Sequence, residues 1–489
     1  MSVEHIDMLV VGAGLSGIGA AHAIQTHCKG KRYAVLEGRS ASGGTWDLFR
    51  YPGVRSDTDM YALGYSFRPW LEPRSMADGA AILSYVRDTA QASGIDKHIR
   101  FNHRVRAASW SSAEARWYVD VEVNAQPPAT TEGVVTLSCD FLYLCSGYYD
   151  YDQGFAPEIA GREQFMGQVV HPQFWPQDLD YTGKQVVVVG SGATAMTLVP
   201  AMSEKAAHVT MLQRSPSYVA SLPSVDGLSN ALHRWLPASL AHRLARVKSV
   251  SFAIAFFQLC RRRPALAKKL LRAGVAKELP EGFDVDAHFK PRYDPWDERV
   301  CFVRDADLFK SLSSGRASMA TDTIANFTPY GLRLESGRLL EADIVVTATG
   351  LRLKTCAGVA FNVDGVPVDL GKTYAYQGLM LSGVPNLAFC VGYTNASWTL
   401  RADLASRYVT RLINFMDRKG YRACVPTCDV ATMKPEPLIG LQSGYVLRAV
   451  ENFPKQGAAT PWRMAQNYIV DLVNLRFRSI RNKGLVFNQ

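Results

Sequence analysis

Apolar residues along the chain fall into short runs that end at glycine-rich turns. Met8 to Val11 and Val186 to Val189 are each followed at once by glycine. Runs of this length bounded by turn residues are typical of buried strands. A segment rich in small and apolar residues comes next in both places, as expected for a helix. The pattern predicts two strand–turn–helix units and therefore an α/β fold.

The first unit carries a nucleotide-binding pattern. Gly12, Gly14 and Gly17 form G-x-G-x-x-G, and the following strand YAVLE ends at Glu37, 20 residues after Gly17. The first glycine permits the tight turn, the second allows the backbone to approach a pyrophosphate, and the third lets helix pack on strand. Glu37 can accept hydrogen bonds from ribose hydroxyls. We predict a dinucleotide site with a free ribose, as in FAD; the alternative is an ordinary glycine-rich turn.

The second unit, KQVVVVGSGATAMT, places Gly190, Gly192 and Ala195 at the three turn positions, with Ala193 and Thr194 between them. Its second strand ends in Gln213, Arg214 and Ser215 where the first unit has an acid. An arginine there can bind a 2′-phosphate, which an acid would repel. This unit therefore predicts an NADPH site with Arg214 and Ser215 at the phosphate, assisted by Gln213. The alternative for Arg214 is a solvated cation at the end of a strand.

Three later apolar runs end in small residues and glycine: Leu142 to Tyr149, Asp343 to Arg352, and Gly383 to Trp398. We interpret all three as returns to the first domain, which would make that domain discontinuous. The segment after Ser221 is rich in Ala, Leu and Arg and is predicted to be a helical insert. The sequence thus predicts two Rossmann-like dinucleotide-binding domains with a helical insert. The expected boundaries are 1–148 (FAD domain, first part), 149–220 (NADPH domain, first part), 221–290 (insert), 291–335 (NADPH domain, second part) and 336–489 (FAD domain, second part, with a substrate-covering region).

The composition is that of a soluble globular protein, with 47% hydrophobic and 20% charged residues in 489. Nine cysteines occur without a C-x-x-C pair, so we expect reduced thiols, no metal site and no disulfide-reductase chemistry. The N-terminus begins directly with a strand and lacks the features of a secretory signal. A cytoplasmic location is the expectation.

The net charge of +10 is concentrated in one place. Residues 243–277 contain ten Lys or Arg and no Asp or Glu. Because the rest of the chain is balanced, no nucleic-acid partner is expected. The apolar run Val250 to Leu259 is too short to span a bilayer. With its basic flanks it could contact an anionic membrane surface; the alternative is a buried helix with solvated arginines.

Between the two units stand Phe165, Gly167, His171 and Trp175 at fixed offsets, followed by Pro176. This pattern resembles the fingerprint of type I Baeyer–Villiger monooxygenases. A second pattern agrees with it: Gly44-Thr45-Trp46, then Tyr-Pro-Gly at 51–53, then Asp57. Together with GYTNASWTL and PWDER, the chain is similar over almost its whole length to the branch that contains the mycobacterial ethionamide-activating monooxygenase.

The resemblance implies a reaction. NADPH would reduce FAD, O2 would add to give a C4a-peroxyflavin, and one oxygen atom would pass to a ketone, forming an ester or lactone, or to a sulfide or thioamide. Arg299 matches the family's active-site arginine, and Asp57 matches the acid that orients it. His171 would lie in the linker between the domains and influence their motion. The alternatives are a surface ion pair of Arg299 with Asp297 or Glu298, a turn cap for Asp57, and a core histidine.

One position departs from the family. Many members have lysine before the active-site arginine, where it helps to hold the 2′-phosphate, whereas this chain has Glu298. Arg214 is therefore left with most of the preference for NADPH. The substrate is expected to be apolar, because the C-terminal half supplies aromatic residues to the predicted pocket: Tyr393, Trp398, Tyr445, Phe453 and Trp462.

Three other functions remain open from the sequence. A flavin N- or S-monooxygenase would share both nucleotide sites but would not form esters. An NADPH oxidase would release peroxide instead of transferring oxygen. A non-catalytic dinucleotide sensor bound to membranes would have no use for Arg299 and Asp57.

Overall fold

The first strand–turn–helix unit lies at the centre of a five-stranded parallel sheet in the computed structural model, which describes residues 3–123 and 133–489. Strand Met8–Val11 alternates its side chains between two cores, with Met8 and Val10 in one and Leu9 and Val11 in the other. This alternation buries both faces of the sheet. The strand order is Leu387–Phe389, Phe141–Leu144, Met8–Val11, Tyr33–Leu36 and Ile99–Arg100.

Two layers cover this sheet. On one face, helix Leu15–His27 packs against helix Trp398–Lys419, and helix Gly79–Ala92 joins the same core. On the other face lies a six-stranded sheet whose core contains the edge-to-face pair Trp110 and Trp117. Its strands, in order, are Glu4–His5, Val134–Cys139, Arg116–Val123, His103–Ser111, Ala360–Val363 and Val366–Pro367.

The second unit builds another five-stranded parallel sheet. Strand Gln185–Val189 again divides its valines between two cores, and helix Ala193–Met202 follows it. Helix Asp307–Ser313 packs on that helix. The strand order is Gln168–Val170, Ile344–Thr347, Gln185–Val189, His208–Gln213 and Ala317–Thr321, with a neighbouring three-stranded sheet of Ile324–Thr328, Gly331–Leu334 and Leu339–Glu341.

One predicted return to the first domain is wrong. Strand Ile344–Thr347 pairs with Gln168–Val170 and Gln185–Val189 and therefore lies inside the second sheet. A buried parallel strand followed by small residues has the same pattern in either Rossmann-like unit, so the sequence could not assign it. The boundary before residue 336 is accordingly too early, while the strands from 142 and 387 do join the first sheet. The other boundaries stay predictions.

The predicted helical insert is helical. Strands Val219–Leu222 and Cys301–Arg304 pair in parallel and frame it. Arg246 anchors the long helix to the first domain, because its Nη1 donates to the carbonyl of Gly64 (2.6 Å) and its Nη2 reaches Asp403 (3.2 Å). The helices are Gly227–Trp235, Ala238–Arg262, Pro264–Glu278 and Val285–Phe289. Over the described residues, no helix has the length and hydropathy needed to span a membrane.

Short elements complete the chain. Strand Tyr149–Gly154 pairs antiparallel with Leu351–Leu353, and these two strands connect the two sheets. The remaining helices are Thr45–Leu48, Met60–Leu63, Gly444–Leu447 and Tyr468–Leu472, and the remaining strands are Ala375–Tyr376, Met380–Leu381, Ala423–Pro426, Glu436–Pro437, Lys455–Gln456 and Leu485–Asn488. All nine cysteines are free thiols.

Candidate active site

A cavity of about 420 Å³ runs between the two glycine-rich turns. It brings together most of the predicted site residues, from both domains. Those that line it are Gly12, Gly14, Glu37, Gly44, Thr45, Trp46, Asp57, Ala193, Thr194 and Arg299. Gly17, Gly190, Gly192, Arg214, Ser215 and the four fingerprint residues do not line it.

The first turn is shaped for close backbone approach. Gly12 has φ +101°, and a Cβ there would come within 2.8 Å of the Cys145 carbonyl oxygen. A Cβ on Gly17 would meet the Gly12 oxygen at 1.8 Å. Helix Leu15–His27 begins without a side-chain cap, so its first N–H groups remain available. An uncapped helix N-terminus beside a glycine turn fits a pyrophosphate.

Glu37 is buried beside this turn and keeps acceptor capacity. Its Oε2 accepts from the N–H of Ala13 (2.7 Å), and its Oε1 accepts from the N–H of Arg39 (3.0 Å). Burial raises the pKa of its carboxyl group, and these hydrogen bonds oppose that effect. Each carboxylate oxygen has a further lone pair, so the group can still accept ribose hydroxyls.

The second turn repeats the geometry of the first. Gly190 has φ +139°, and a Cβ there would come within 2.2 Å of the Ala348 carbonyl oxygen. A Cβ on Gly192 would meet no atom within 4 Å, which leaves an open space beside the turn. Helix Ala193–Met202 also lacks a side-chain cap. The turn therefore fits a second dinucleotide whose reactive end would enter the cavity near Thr194.

The strand end predicted to hold a 2′-phosphate is exposed to solvent, with Arg214 and Ser215 outside the cavity. Arg214 lies near Glu298: burial raises the pKa of the Glu298 carboxyl group, and the positive charge of Arg214 lowers it. The prediction that Gln213 assists is wrong. Its side chain is buried and donates inward to the His288 carbonyl (2.8 Å) and to Thr321 Oγ1 (2.9 Å).

Arg299 and Asp57 form an ion pair in the cavity wall. Nη2 of Arg299 lies 3.1 Å from Oδ2 and 3.2 Å from Oδ1 of Asp57. The Asp57 carboxylate raises the pKa of Arg299, against the opposing effect of burial. The alternative surface pair does not form, because Asp297 instead pairs with Arg261 (2.6 Å). The capping role belongs to Asp59, which accepts from the N–H of Tyr61 (2.6 Å).

Two features that orient Arg299, the backbone at Trp296 and the insert helix, were not predicted from the sequence. Trp296 has a left-handed φ of +74° and packs edge-to-face on Phe257 of the insert (5.7 Å between ring centroids). Positive φ at a bulky residue is strained and persists only when its surroundings enforce it. The insert helix therefore supports the loop that carries Arg299. The Pro-Trp before Asp297 was the only available signal, and it does not reveal the helix.

Arg55 is a further missed residue. It lines the cavity two residues before Asp57, and it is 9% exposed. Its Nη1 lies 2.5 Å from Oδ2 of Asp307. Tyr51, which stands in the Tyr-Pro-Gly pattern, also lines the cavity, as do Tyr149 and Tyr151, which no sequence pattern singled out.

The fingerprint residues lie where the two domains are connected. The ring of His171 sits against Gly154, where a Cβ would come within 2.4 Å of Cε1, and its Nε2 is 3.4 Å from the Gly350 carbonyl. Its Nδ1 accepts from the N–H of Gln173 (3.2 Å). Burial lowers the pKa of His171, which favours the neutral ring.

The other three fingerprint residues pack the second domain. Phe165 contacts Phe327 (5.5 Å between centroids), and Trp175 packs against the core under the second sheet. A Cβ on Gly167 would come within 2.3 Å of the Asp343 carbonyl oxygen. These positions therefore fix the entry into strand Gln168–Val170.

The expected aromatic lining is correct for three residues of five. Tyr393, Trp398 and Tyr445 line the cavity. Phe453 and Trp462 do not line it but are buried in other clusters. Aromatic content alone could not distinguish a pocket wall from a core.

No metal site was expected from the sequence. Among the described residues, one group of potential ligands comes together, His5, Asp7 and Asp140, with ligand atoms within 4.8 Å of one another. None of the three lines the cavity, and His5 already pairs with Asp140 (3.5 Å).

Comparison with known proteins agrees with this geometry. Residues 65–243 match the flavin-binding monooxygenase-like family, and residues 10–71 match an NAD(P)-binding Rossmann-like domain. The FAD-containing monooxygenase EthA of Mycobacterium tuberculosis is 50% identical over 485 residues, covering 99% of this chain and 98% of the relative. The probable FAD-binding monooxygenase AlmA of Acinetobacter baylyi is 46% identical over 479 residues, covering 97% and 95%.

Solved structures share the fold. A steroid monooxygenase bound to NADP superposes with a TM-score of 0.75 at 22% identity, covering 99% of this chain and 100% of that one. A cyclohexanone-bound cyclohexanone monooxygenase gives a TM-score of 0.75 at 18% identity, with 100% of both chains covered. With half of its residues identical to a relative over nearly its whole length, the chain belongs to the family of FAD-containing, flavin-binding monooxygenases.

Proposed function

We propose that this monooxygenase uses NADPH and FAD to insert one oxygen atom of O2 into ketones, giving esters or lactones, and that it also oxidises sulfides and thioamides. The observation that carries the proposal is the Arg299–Asp57 ion pair in the wall of a cavity that is bordered by the first nucleotide turn and by Ala193 and Thr194, which follow the glycines of the second. A heteroatom oxygenase or an oxidase has no evident need for a fixed cation at this place.

Different groups of residues would bind FAD and NADPH. The turn Gly12–Gly14, Glu37 and the segment 44–46 would hold FAD along the cavity. The turn Gly190–Thr194 would hold the NADPH pyrophosphate, with Arg214 and Ser215 at the 2′-phosphate on the surface. When bound, the flavin would supply hydride acceptance from NADPH and activation of O2. The neutral His171 at the connectors would then influence how the two domains bring their cofactors together.

Arg299 would favour an anionic reactant beside it. Arginine stays protonated throughout the accessible pH range, and here the Asp57 carboxylate raises its pKa further. A preorganised positive charge stabilises negative charge where it develops, which attack of an anionic oxygen on a ketone carbonyl requires. Asp57 fixes the direction of the guanidinium through two contacts of 3.1 and 3.2 Å.

The substrate would be apolar. Tyr393, Trp398, Tyr445 and Leu441 contribute aromatic and aliphatic surface to the cavity wall. Apolar and aromatic side chains that lie beside a few placed polar groups are typical of sites for small apolar ligands. Two proteins with the same fold are named for the ketones or steroids on which they act, which supports a ketone substrate here.

Product analysis tests the proposal. The FAD-loaded protein would be given NADPH, O2 and a simple methyl ketone, and the extract analysed for ester. We expect ester from the parent protein, and a loss of at least about 100-fold in Arg299→Ala and Asp57→Asn, as for removal of a charge-stabilising group. The matched control is Arg333→Ala, an exposed arginine on the strand Gly331–Leu334, which should retain activity.

Two results would contradict the ketone assignment. Sulfoxide from a sulfide without ester from any ketone would place the protein among the heteroatom oxygenases. Peroxide equal to the NADPH consumed, in the presence of every substrate class, would identify an oxidase.

Only part of the predicted apolar run is exposed, and most exposed apolar side chains of the insert precede it. Within 250–259, Val250 is buried, and Phe256 and Phe257 pack on Phe302 and Trp296. Five of the ten basic residues of 243–277 pair with carboxylates: Arg246, Lys248, Arg261, Lys268 and Arg272. Phe252 within the run is exposed, as are Leu266 and Leu270 after it. The other exposed apolar side chains precede the run, beside Arg234 and Arg243: Leu228, Trp235, Leu240, Leu244 and Val247.

We propose that this surface, 228–247, contacts anionic lipid. Co-sedimentation with anionic vesicles at low and high salt tests it, because surface electrostatics weaken with salt. Leu244→Glu should abolish sedimentation, whereas Val366→Glu, at an exposed position on a hairpin of the six-stranded sheet, should not. Sedimentation unaffected by Leu244→Glu would refute this surface.

A further inference from the structure

The loop from Tyr51 to Asp57 carries two charged residues of opposite sign, and each pairs with the second domain. Arg55 Nη1 lies 2.5 Å from Asp307 Oδ2, and Asp57 Oδ2 lies 3.1 Å from Arg299 Nη2. The polarity of the two pairs is reversed. In the first pair the loop supplies the cation, Arg55, and in the second it supplies the anion, Asp57.

The loop itself belongs to the first domain. The N–H of Ser56 donates to the Ala77 carbonyl (3.1 Å), and the N–H of Gly79 donates to the Val54 carbonyl (2.8 Å). The backbone is thus fixed at 54 and 56, on either side of Arg55. The second domain also packs against this loop, because Tyr51 lies in its core and a Cβ on Gly53 would come within 2.5 Å of the Thr197 carbonyl oxygen. The ionic contacts that it makes with the loop are those of Arg55 and Asp57.

Asp307 is held in place by unusual backbone. Asp305 and Ala306 both have left-handed φ, +53° and +59°, immediately before helix Asp307–Ser313. Two successive strained residues persist only where their surroundings enforce them. Oδ1 of Asp305 accepts from the N–H of Ser224 (2.8 Å), which secures the turn. The turn presents the Asp307 carboxylate to Arg55.

Arg55 has little else to compensate its charge. The residue is 9% exposed, and among the described residues its Nε and Nη2 have no hydrogen-bond partner. A buried charge that loses an ionic partner is strongly unfavourable, so Arg55 would move if Asp307 were neutralised. Asp57 is two residues away on the same loop and would move with it.

We propose that Arg55 and Asp307 are positioning residues, which set the loop 51–57 against the second domain so that Asp57 holds Arg299 in its direction. The pair sits at the seam between the domains and acts through Asp57. The expected effect of this pair on catalysis rests on the proposed role of Arg299, whereas its expected effect on the position of the loop does not.

Three variants of the FAD-loaded enzyme separate this role from general support of the fold. Asp307→Asn removes the charge but keeps an oxygen that can accept from the N–H of Leu308, as Asp307 Oδ1 does now (2.9 Å). Asp307→Glu keeps the charge. Asp78→Asn breaks a third ion pair of the same seam, Arg304–Asp78 (2.7 Å), and serves as the matched control.

Hydrogen exchange is the first readout and needs no turnover. In Asp307→Asn we expect amides of the segments 51–57 and 297–301 to exchange about tenfold faster, because the local opening that exposes them becomes easier. The rates should return towards those of the parent in Asp307→Glu. Asp78→Asn should leave these two segments unchanged. Equal acceleration in Asp307→Asn and Asp78→Asn, or none in either, would overturn the proposal.

Coupling is the second readout. The peroxide released per NADPH consumed should rise severalfold in Asp307→Asn, while KM for NADPH stays near that of the parent, because Arg214 and the second turn are untouched. A change in KM alone would refute the positioning role. If the parent enzyme formed no ester, the proposed function would fail while the exchange result still decided this inference.

Discussion

Selectivity between NADPH and NADH should rest mostly on Arg214, because Gln213 faces inward and Glu298 stands where a lysine would help. We expect Arg214→Ala to raise KM for NADPH by roughly 10- to 100-fold, the value of a charge-assisted contact to phosphate. KM for NADH should change little. Steady-state kinetics with both cofactors checks this, with Arg214→Lys as the intermediate case. Equal effects on the two cofactors would mean that Arg214 is only a solvated cation.

A second residue should make stability depend on pH. His242 is 2% exposed in the insert helix, and burial, aided by Arg246, lowers its pKa to about 4. The unfolded chain takes up this proton near pH 6.5, whereas the folded protein resists it. Above pH 6.5 the ring is neutral in both states, and the protein keeps its full free energy of unfolding. As the pH falls towards 4, proton uptake by the unfolded chain lowers this free energy by roughly 3 kcal/mol for this group.

His242→Leu should flatten that dependence. Chemical unfolding at pH 8 and pH 4.5 measures it as the difference in unfolding free energy between the two pH values, compared with the parent protein. The control is His208→Leu, which removes a half-buried histidine of the second sheet that is bonded to Ser318 (2.8 Å). An unchanged difference in His242→Leu would show that other groups carry the acid sensitivity.

At the scale of an element, the two glycines of the second turn have different roles, one in stability and the other in NADPH binding. Gly190 has φ +139° and almost touches the Ala348 carbonyl, whereas Gly192 has open space where a side chain would stand. We expect Gly190→Ala to lower Tm by several degrees, since its strain and clash cost about 1–3 kcal/mol. Gly192→Ala should leave Tm unchanged and yet weaken NADPH binding, because the new methyl group occupies the space for the pyrophosphate. Calorimetry of NADP⁺ binding and thermal unfolding together check both outcomes.

Elements explain which parts of the fold were predictable. The strands at 8–11 and 186–189 follow from local apolar runs with glycine beside them, and the structure confirms both. Strand 344–347 has the same local pattern, but its sheet is chosen by contacts with residues more than 150 positions away, Val186 to Val189. The local sequence pattern therefore cannot predict which sheet this strand joins. The same limit applies to Arg55, whose partner Asp307 lies 252 residues away.

At the scale of the whole molecule, the site is assembled from both domains, so its residues were found only where a motif carried them. Asp57 and Arg299 came from the family resemblance, and their 3.1 Å contact agrees with it. Trp296 stands in the PWDER stretch, but its contact with the insert helix belongs to no motif, because that contact depends on packing between distant segments. The exposed part of the insert likewise depends on which side of a helix meets the first domain, and the basic count of 243–277 could not reveal it.

The connectors between the two sheets meet at His171, and this contact is open to a direct test. Gly154 ends the strand that pairs with Leu351–Leu353, and its missing Cβ leaves room for the His171 ring. We expect Gly154→Ala to lower Tm, with a cost of about 1–3 kcal/mol for overpacking. The variant should also lose a larger fraction of its kcat than of its bound FAD. The reason is that the displaced ring no longer contacts the carbonyl of Gly350 (3.4 Å).

The double variant Gly154→Ala/His171→Ala isolates the contact. Removing the ring removes the atoms that the new methyl group would meet at 2.4 Å. The double variant should therefore be more stable than the sum of the two single losses predicts, by at least about 0.5 kcal/mol, the usual size of coupling between touching residues. Its kcat should resemble that of His171→Ala alone, because the ring acts on turnover only when it is present at the connectors. Strictly additive losses in stability would mean that the ring and Gly154 do not meet in solution, and His171 would then act through Gln173 and its own turn instead.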